Sequence, residues 1–266
     1  MLKARKRFGQ HFLQDKNIIR NIILSINPKP EDHLIEIGPG QGALTFPLIE
    51  AYPELKQNLI EIDRDLVAFL KNQFSKNQPK FNHINIYESD VLNFDFSELN
   101  LSPLRIIGNL PYNISTPLLF HLIKYKDIIK DMYFMLQKEV VDRMAAAPHT
   151  KDYGRLSIMI QYDFDVIPLF DVPPSAFYPP PKVESAIVKL VPKIRAESEK
   201  VLDHHLFQHI VREAFQHRRK TLKNALKAYL TEEAMIKYHI DPTLRPEALS
   251  VGDYVKLANQ MSNKEC

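Results

Sequence analysis

Three of the seven glycines in this 266-residue chain fall within five positions, and no other feature constrains the fold as much. Gly38, Gly40 and Gly42 follow directly on the apolar run Leu34-Ile35-Glu36-Ile37, in LIEIGPGQGALT. A chain so sparing of glycine places it where the backbone must adopt a conformation that other residues resist. A buried strand that breaks into a glycine turn and then a helix is the opening unit of a nucleotide-binding βα sheet. A tight turn with no ligand is the other reading, and the rest of the chain must decide between them.

The pattern of that first unit repeats. Helix over about 43–51, strand NLIEID, helix over 65–75, strand INIYESD and strand LRIIGN alternate in turn, which predicts a parallel sheet covered on both faces. A helix over about 116–125, a strand within DMYFMLQ, and helices over KEVVDRMAA and 154–162 follow. DVIPLFDV and SAIVKLV read as two strands joined through PPSAFYPPPKV without a helix, so an antiparallel finish is expected. After Asp203 the apolar positions Phe207, Ile210, Val211, Ala214, Leu222, Leu226 and Leu230 recur at helical spacing. The expected fold class is α/β, a Rossmann-like sheet with a small C-terminal all-helical domain. The expected domains are residues 1–194 and 195–266.

A single cysteine, Cys266, forms no internal disulfide, and no apolar run approaches the ~18 residues of a membrane span. Four basic residues among the first seven lack a following apolar core, so no secretory signal is expected and a cytoplasmic, reducing setting is the default. The net charge of +3 is unevenly distributed: +6 over residues 1–30, −5 over 31–194 and +2 over 195–266.

The acids that close neighbouring strands favour a ligand over a bare turn. Glu61 ends the second strand, at the spacing where an acid meets ribose hydroxyls in such folds, and Asp90 follows the third. The turn reads G-P-G-x-G, with Ala43 where a dinucleotide fold has its third glycine, which suits a single adenosine with a short non-phosphate arm. Gly108-Asn109-Leu110-Pro111-Tyr112 closes the fourth strand. Pro111 holds Leu110 extended, so main-chain carbonyls can face a cleft; Asn109 adds an acceptor and Tyr112 an aromatic face. Two acceptors beside a stacking surface fit an exocyclic amine on a flat base, and the chemistry demands no metal. An Asn-capped proline turn is the plainer alternative.

The segments GQHFL, EIGPGQGALT, IEIDRD, GNLPYNIST, MLQKEVVDR, PPSAFYPPPKVESA and RRKTLKNAL occur in order across nearly the whole chain. Together they closely resemble the bacterial small-subunit ribosomal RNA adenine-N6 dimethyltransferases. The resemblance implies an S-adenosylmethionine-dependent methyltransferase sheet, with S-adenosylhomocysteine as product, acting on two adjacent adenines in the 3′-terminal hairpin loop of 16S ribosomal RNA. Its implied partner is the small ribosomal subunit or its precursor; a monomer without membrane association is expected. By motif position Gln10, His11, Leu13, Gly38, Gly40, Glu61, Asp90 and Asn109 would hold the methyl donor. Many relatives have Asn at the position of His11, so either a donor contact or an exposed polar role is open to its side chain. Asn109, Leu110, Pro111 and Tyr112 would receive the target adenine, with Phe177 as the opposite wall of its slot. The prolines flanking Phe177 speak for exposure; a core position is the alternative.

Basic residues gather at both ends of the chain. Arg5, Lys6 and Arg7 precede GQHFL, and Arg219, Lys220, Lys223 and Lys227 form one stripe if residues 212–227 are a continuous helix. Phosphate contact is the expectation for these seven, a solvated helix face the alternative. Rival functions are a large-subunit ribosomal RNA adenine-N6 methyltransferase of the macrolide-resistance type, a non-catalytic RNA-binding or transcription factor, and a dinucleotide oxidoreductase. RRKTLKNAL, the intact NLPY and the glycine spacing respectively disfavour them.

Overall fold

The computed structural model describes residues 11–76, 81, 83–216 and 220–262. In chain order its elements are β1 (Phe12–Leu13), α1 (Lys16–Ile26), β2 (His33–Ile37), α2 (Thr45–Ala51), β3 (Gln57–Glu61), α3 (Arg64–Ser75), β4 (Ile84–Glu88) and β5 (Leu104–Asn109). They continue with α4 (Ser115–Ile123), β6 (Ile129–Gln137), α5 (Lys138–Ala145), α6 (Arg155–Asp163), β7 (Phe164–Val172), β8 (Phe177–Tyr178) and β9 (Ser185–Pro192). The last helices are α7 (His204–Gln216), α8 (Leu222–Ala225), α9 (Glu232–Lys237) and α10 (Val251–Ser262).

Among the described residues the main sheet has seven strands in the order β4-β3-β2-β5-β6-β9-β7. β2 pairs in parallel with both β3 and β5, so the strand order reverses there and opens a crevice at the carboxyl ends of these strands. β9 lies antiparallel to β6, with Met132 opposite Leu190 and Gln137 opposite Ser185, and β7, to which it is joined without a helix, lies on its other side. The sequence pattern does not anticipate β1 and β8. They form a separate antiparallel ribbon in which Phe12 opposes Tyr178 and Leu13 opposes Phe177.

Local chemistry sets the helix boundaries that matter for the crevice. Asp15 caps α1 by accepting from the Asn17 and Ile18 amides at 2.8 and 3.2 Å, and the helix buries Ile19, Ile22, Ile23 and Ile26 before ending at left-handed Asn27. Asp63 caps α3, which buries Leu66, Val67, Leu70 and Phe74. At the opposite edge of the sheet, Arg105 of β5 is buried with both carboxylates it binds. It meets Asp131 through Nε at 2.7 Å and Nη2 at 2.9 Å, Asp32 through Nη1 at 2.8 Å, and the Ile26 carbonyl through Nη2 at 2.8 Å. Burial opposes the guanidinium charge, but the Asp131 and Asp32 bonds outweigh it and keep Arg105 firmly protonated. Burial likewise opposes the Asp32 charge, yet bonds from Lys130, the Lys29 amide and Arg105 bring its carboxyl down to about 2. One side chain thus ties α1, the turn leading into β2, β5 and β6 together.

The chain divides by contacts into two units: residues up to Val141 with Ile167–Pro192, and Asp142–Val166 with Lys193 onward. The expected single boundary at 194 lies close to one of the crossings, but 142–166, read as part of the sheet domain, joins the second unit. That segment carries the second half of α5 and all of α6, and side chains from it find partners there. The Gln161 amide donates to the Met144 and Ala146 carbonyls at 2.7 and 2.8 Å, the Tyr162 ring packs on Phe207 at 4.9 Å, and Tyr162 Oη accepts from the Val201 amide at 3.0 Å. Helical spacing identifies an apolar face without saying which core receives it.

Candidate functional site

A cavity of about 470 Å³ opens at the carboxyl ends of β2, β3 and β5, where the strand order reverses. Its lining includes His11, Phe12, Leu13, the 36–41 turn, Glu61, Ile62, Ser89, Asp90 and the stretch Asn109–Ile114. The positions picked out by motif therefore converge: His11, Leu13, Gly38, Gly40, Glu61, Asp90, Asn109, Leu110, Pro111 and Tyr112 all border one space. Gln10 lies outside the described residues.

The glycine turn requires its glycines. Gly38, Gly40 and Gly42 have φ of 65°, 60° and 83°, and a Cβ on Gly42 would lie 2.3 Å from the Phe46 ring. The turn is closed by Glu61, whose Oε2 accepts from the Gly40 amide at 3.1 Å and whose Oε1 accepts from the Asp63 amide at 2.9 Å. Glu61 thereby braces the turn while lining the cavity, and burial pushes its carboxyl up. Asp90 presents its carboxylate from a short turn, accepting from the Leu92 amide at 3.0 Å and from Asn93 Nδ2 at 3.2 Å.

Glu36 is a site residue that the motif reading passed over. It is 2% exposed, its Oε2 accepts from Thr45 Oγ1 at 2.7 Å, and it borders the cavity. Burial pushes its carboxyl up to about 7; the Thr45 bond works against this and the charge of Glu61 adds to it. The signal was an acid inside an otherwise apolar strand, LIEI. Among the described lining residues Glu36, Glu61 and Asp90 are acidic and none is Lys or Arg, so the cavity favours a cation.

The Asn109 amide is oriented by a contact distant in sequence. Its Nδ2 donates to the His11 carbonyl at 3.1 Å, which leaves Oδ1 as the acceptor. The His11 ring stacks near Tyr112 at 6.0 Å and 28°, and its Nδ1 donates to the Pro179 carbonyl at 2.7 Å. Tyr112 is half-buried with its hydroxyl 2.8 Å from Ser185 Oγ, and burial pushes its phenol up. Gly108 lets β5 lie close to β2, since a Cβ there would be 2.7 Å from the Ile37 carbonyl. The Pro111 carbonyl is taken within its own turn by the Ile114 amide and Ser115 Oγ, both at 3.1 Å.

Phe177, expected as an exposed wall opposite Tyr112, is 5% exposed and packs in a core cluster with Leu13, Ile22 and Ala176. The flanking prolines do not keep Phe177 exposed, because β8 obtains main-chain partners from β1. The Ala176 carbonyl also accepts from the Gln14 and Asp15 amides at 2.8 and 3.3 Å. A proline-flanked segment can thus be buried as half of a ribbon.

The basic stripe is not one helix. α7 ends at Gln216, residues 217–219 are outside the described set, and α8 is a four-residue helix beginning at Leu222. Lys220 and Lys227 are exposed in turns, and Lys223 Nζ lies 3.1 Å from Glu232 Oε1. Arg5, Lys6, Arg7 and Arg219 also lie outside the described residues. Among the described residues no group of three or more His, Cys, Asp or Glu could hold a metal, and no helix is long and apolar enough to cross a membrane.

Comparison with known proteins gives a consistent picture. The sequence pattern of the family described as "Ribosomal RNA adenine dimethylase" matches residues 1–263. "Ribosomal RNA small subunit methyltransferase A" of Pseudomonas syringae pv. tomato is 51% identical over 264 residues, covering 98% of this chain and 96% of that one. The protein of the same description from Aromatoleum aromaticum is 52% identical over 262 residues, covering 98% and 96%. The crystal structure of a dimethyladenosine transferase from Plasmodium falciparum superposes with a TM-score of 0.81 at 28% identity, covering 96% of this chain and 98% of that one.

Proposed function

This chain belongs to the ribosomal RNA adenine dimethylase family, and from that premise we propose how its cavity performs the N6-dimethylation of adenines in small-subunit ribosomal RNA. The donor is S-adenosylmethionine, which supplies the methyl group as a sulfonium and leaves as S-adenosylhomocysteine. The target is the pair of adjacent adenines in the 3′-terminal hairpin loop of 16S ribosomal RNA, and the partner is the small ribosomal subunit or its precursor.

The residues fit such a donor. Glu61 and Asp90 present carboxylates to the adenosine portion, and the glycine turn, bare of side chains, leaves room for the methionine arm. Glu36, Glu61 and Asp90 together match the positive charge of a sulfonium. Asn109 Oδ1, freed by the Nδ2 bond to His11, accepts one hydrogen of the target amine. The Leu110 carbonyl accepts the other, because that of Pro111 is already engaged. For the first transfer two acceptors draw the amine lone pair out of conjugation; the monomethylated amine, with one hydrogen left, keeps one of them for the second. Each transfer releases one N6 proton to solvent, and Tyr112 supplies a stacking face held by Ser185. Alignment contributes most of the acceleration, up to roughly 7–11 kcal/mol in well-oriented systems. Lys220, Lys223 and Lys227, with Arg5, Lys6, Arg7 and Arg219, supply phosphate contacts from the charged ends of the chain.

The observation that carries this reading is the Asn109 amide, its Nδ2 engaged by the His11 carbonyl, on a residue that borders an acid-lined cavity. Transfer of labelled methyl groups to 30S particles, free small-subunit RNA and large-subunit RNA tests it. Asn109→Ala should abolish transfer while donor affinity falls only modestly. Glu61→Ala should weaken donor binding by about 1.5–3 kcal/mol. Labelling of large-subunit RNA in preference to small-subunit RNA, or an Asn109→Ala enzyme with most of its rate, would overturn the reading.

A further inference from the structure

The β1–β8 ribbon separates two adjacent aromatic residues onto opposite faces. Leu13 and Phe177 are a registered pair, 4% and 5% exposed, and both enter the core. Phe12 and Tyr178 are the next registered pair and so share the other face, because side chains alternate along a strand. On that face the Phe12 ring reaches the glycine turn at the cavity, where a Cβ on Gly40 would lie 3.5 Å from it. Tyr178, beside Phe12, is 62% exposed.

Tyr178 is held on a rigid support although its ring faces solvent. Phe177 anchors one side of it in the core, and on the other the Pro179 carbonyl accepts from His11 Nδ1 at 2.7 Å. Pro179, Pro180 and Pro181 follow directly, so the backbone beyond the ring has little freedom. Fixing the backbone that carries the ring before binding lowers the ordering cost that stacking would otherwise incur. Lys182, four residues further along, is exposed on the same loop.

We propose that Tyr178 is a stacking platform for the unpaired base next to the target adenine, a subsite outside the cavity that helps select the RNA strand entering it. This rests on the adenine-methyltransferase reading above. A flat, sequence-tolerant π surface is the chemistry on which bases of single-stranded nucleic acid stack. Its place at the rim, one ribbon position from the cavity lining, puts it where a neighbour of the inserted base would lie. The target base itself is received by Tyr112 inside the cavity.

The experiment uses the full-length protein and a hairpin RNA carrying 2-aminopurine beside the target adenine, with fluorescence and RNA affinity measured for Tyr178→Ala and Tyr178→Phe. The wild type should quench the probe; the alanine variant should lose the quench and bind RNA at least about 5-fold more weakly, and phenylalanine should restore both. Wild-type quench and affinity in Tyr178→Ala would overturn the platform, and so would a phenylalanine variant as defective as alanine. Donor affinity measured in parallel distinguishes a damaged cavity, which would also count against a role confined to the base. A wild-type protein that methylates no adenine in this RNA would sink the functional reading instead, whereas methylation without any quench sinks the platform alone.

Discussion

Replacing Glu36 with Gln should stabilise the donor-free protein, and only above a definable pH. Glu36 is buried beside the cavity with Thr45 Oγ1 as its donor, and burial together with the Glu61 charge raises its carboxyl from an ordinary 4.5 to about 7. The folded protein therefore holds this proton more tightly than the unfolded chain does. Below pH 4.5 the group is protonated in both states and contributes nothing to the difference. As pH rises towards 7 the unfolded chain releases the proton first, and stability falls by up to roughly 1.36 kcal/mol per pH unit. Above the folded value the full penalty is present, about 3 kcal/mol. In Glu36→Gln the amide oxygen keeps the Thr45 bond and the titration disappears. Urea unfolding of both proteins at pH 5, 6, 7 and 8, without donor, should show curves that nearly coincide at pH 5 and separate progressively to about 2–3 kcal/mol at pH 8. A difference that stays constant across that range would refute the argument, because it would mean that Glu36 titrates alike in both states.

Three further outcomes follow from the packing. Arg105→Met leaves Asp32 and Asp131 buried without their shared cation and should cost about 3–5 kcal/mol in urea unfolding; a loss under about 1 kcal/mol would show that the sheet edge does not depend on this network. Phe177→Ala should cost about 3–5 kcal/mol of stability as a core deletion, while Tyr178→Ala next to it should stay within about 0.5 kcal/mol of wild type; equal effects would contradict the ribbon register. Gly42→Ala places a side chain at φ 83° and 2.3 Å from the Phe46 ring, so it should lose about 1–2 kcal/mol from the backbone alone and bind donor more weakly by calorimetry. Unchanged donor affinity would separate the turn from the cavity.

Much of the site was legible because its parts are local. Gly38, Gly40, Glu61, Asp90 and Asn109 each end a strand, and in a parallel sheet whose order reverses, strand ends that look unrelated in sequence meet at one crevice. Period-two apolar runs and turn residues therefore sufficed to place them. Glu36 could have been found in the same way, from an acid inside a buried strand, but nothing local said that it would keep company with Glu61.

Only the tertiary structure decided what depends on pairing between distant segments. The His11–Pro179 bond joins residues 168 positions apart, and the Asn109–His11 bond that engages the amide Nδ2 spans 98. No periodicity encodes such a partner. The burial of Phe177 beside an exposed Tyr178 follows from the register of β8 against β1, and a shift of one residue would exchange the two faces. The helical spacing of 142–166 was visible, but not the core its apolar face enters, so the sheet domain was drawn with helices that pack in the second unit. Charge was visible in Lys223, but not the Glu232 beside it. Backbone propensity and strand period act over a few residues, whereas register, amide orientation and ion pairing are settled by whichever segments the folded chain brings together.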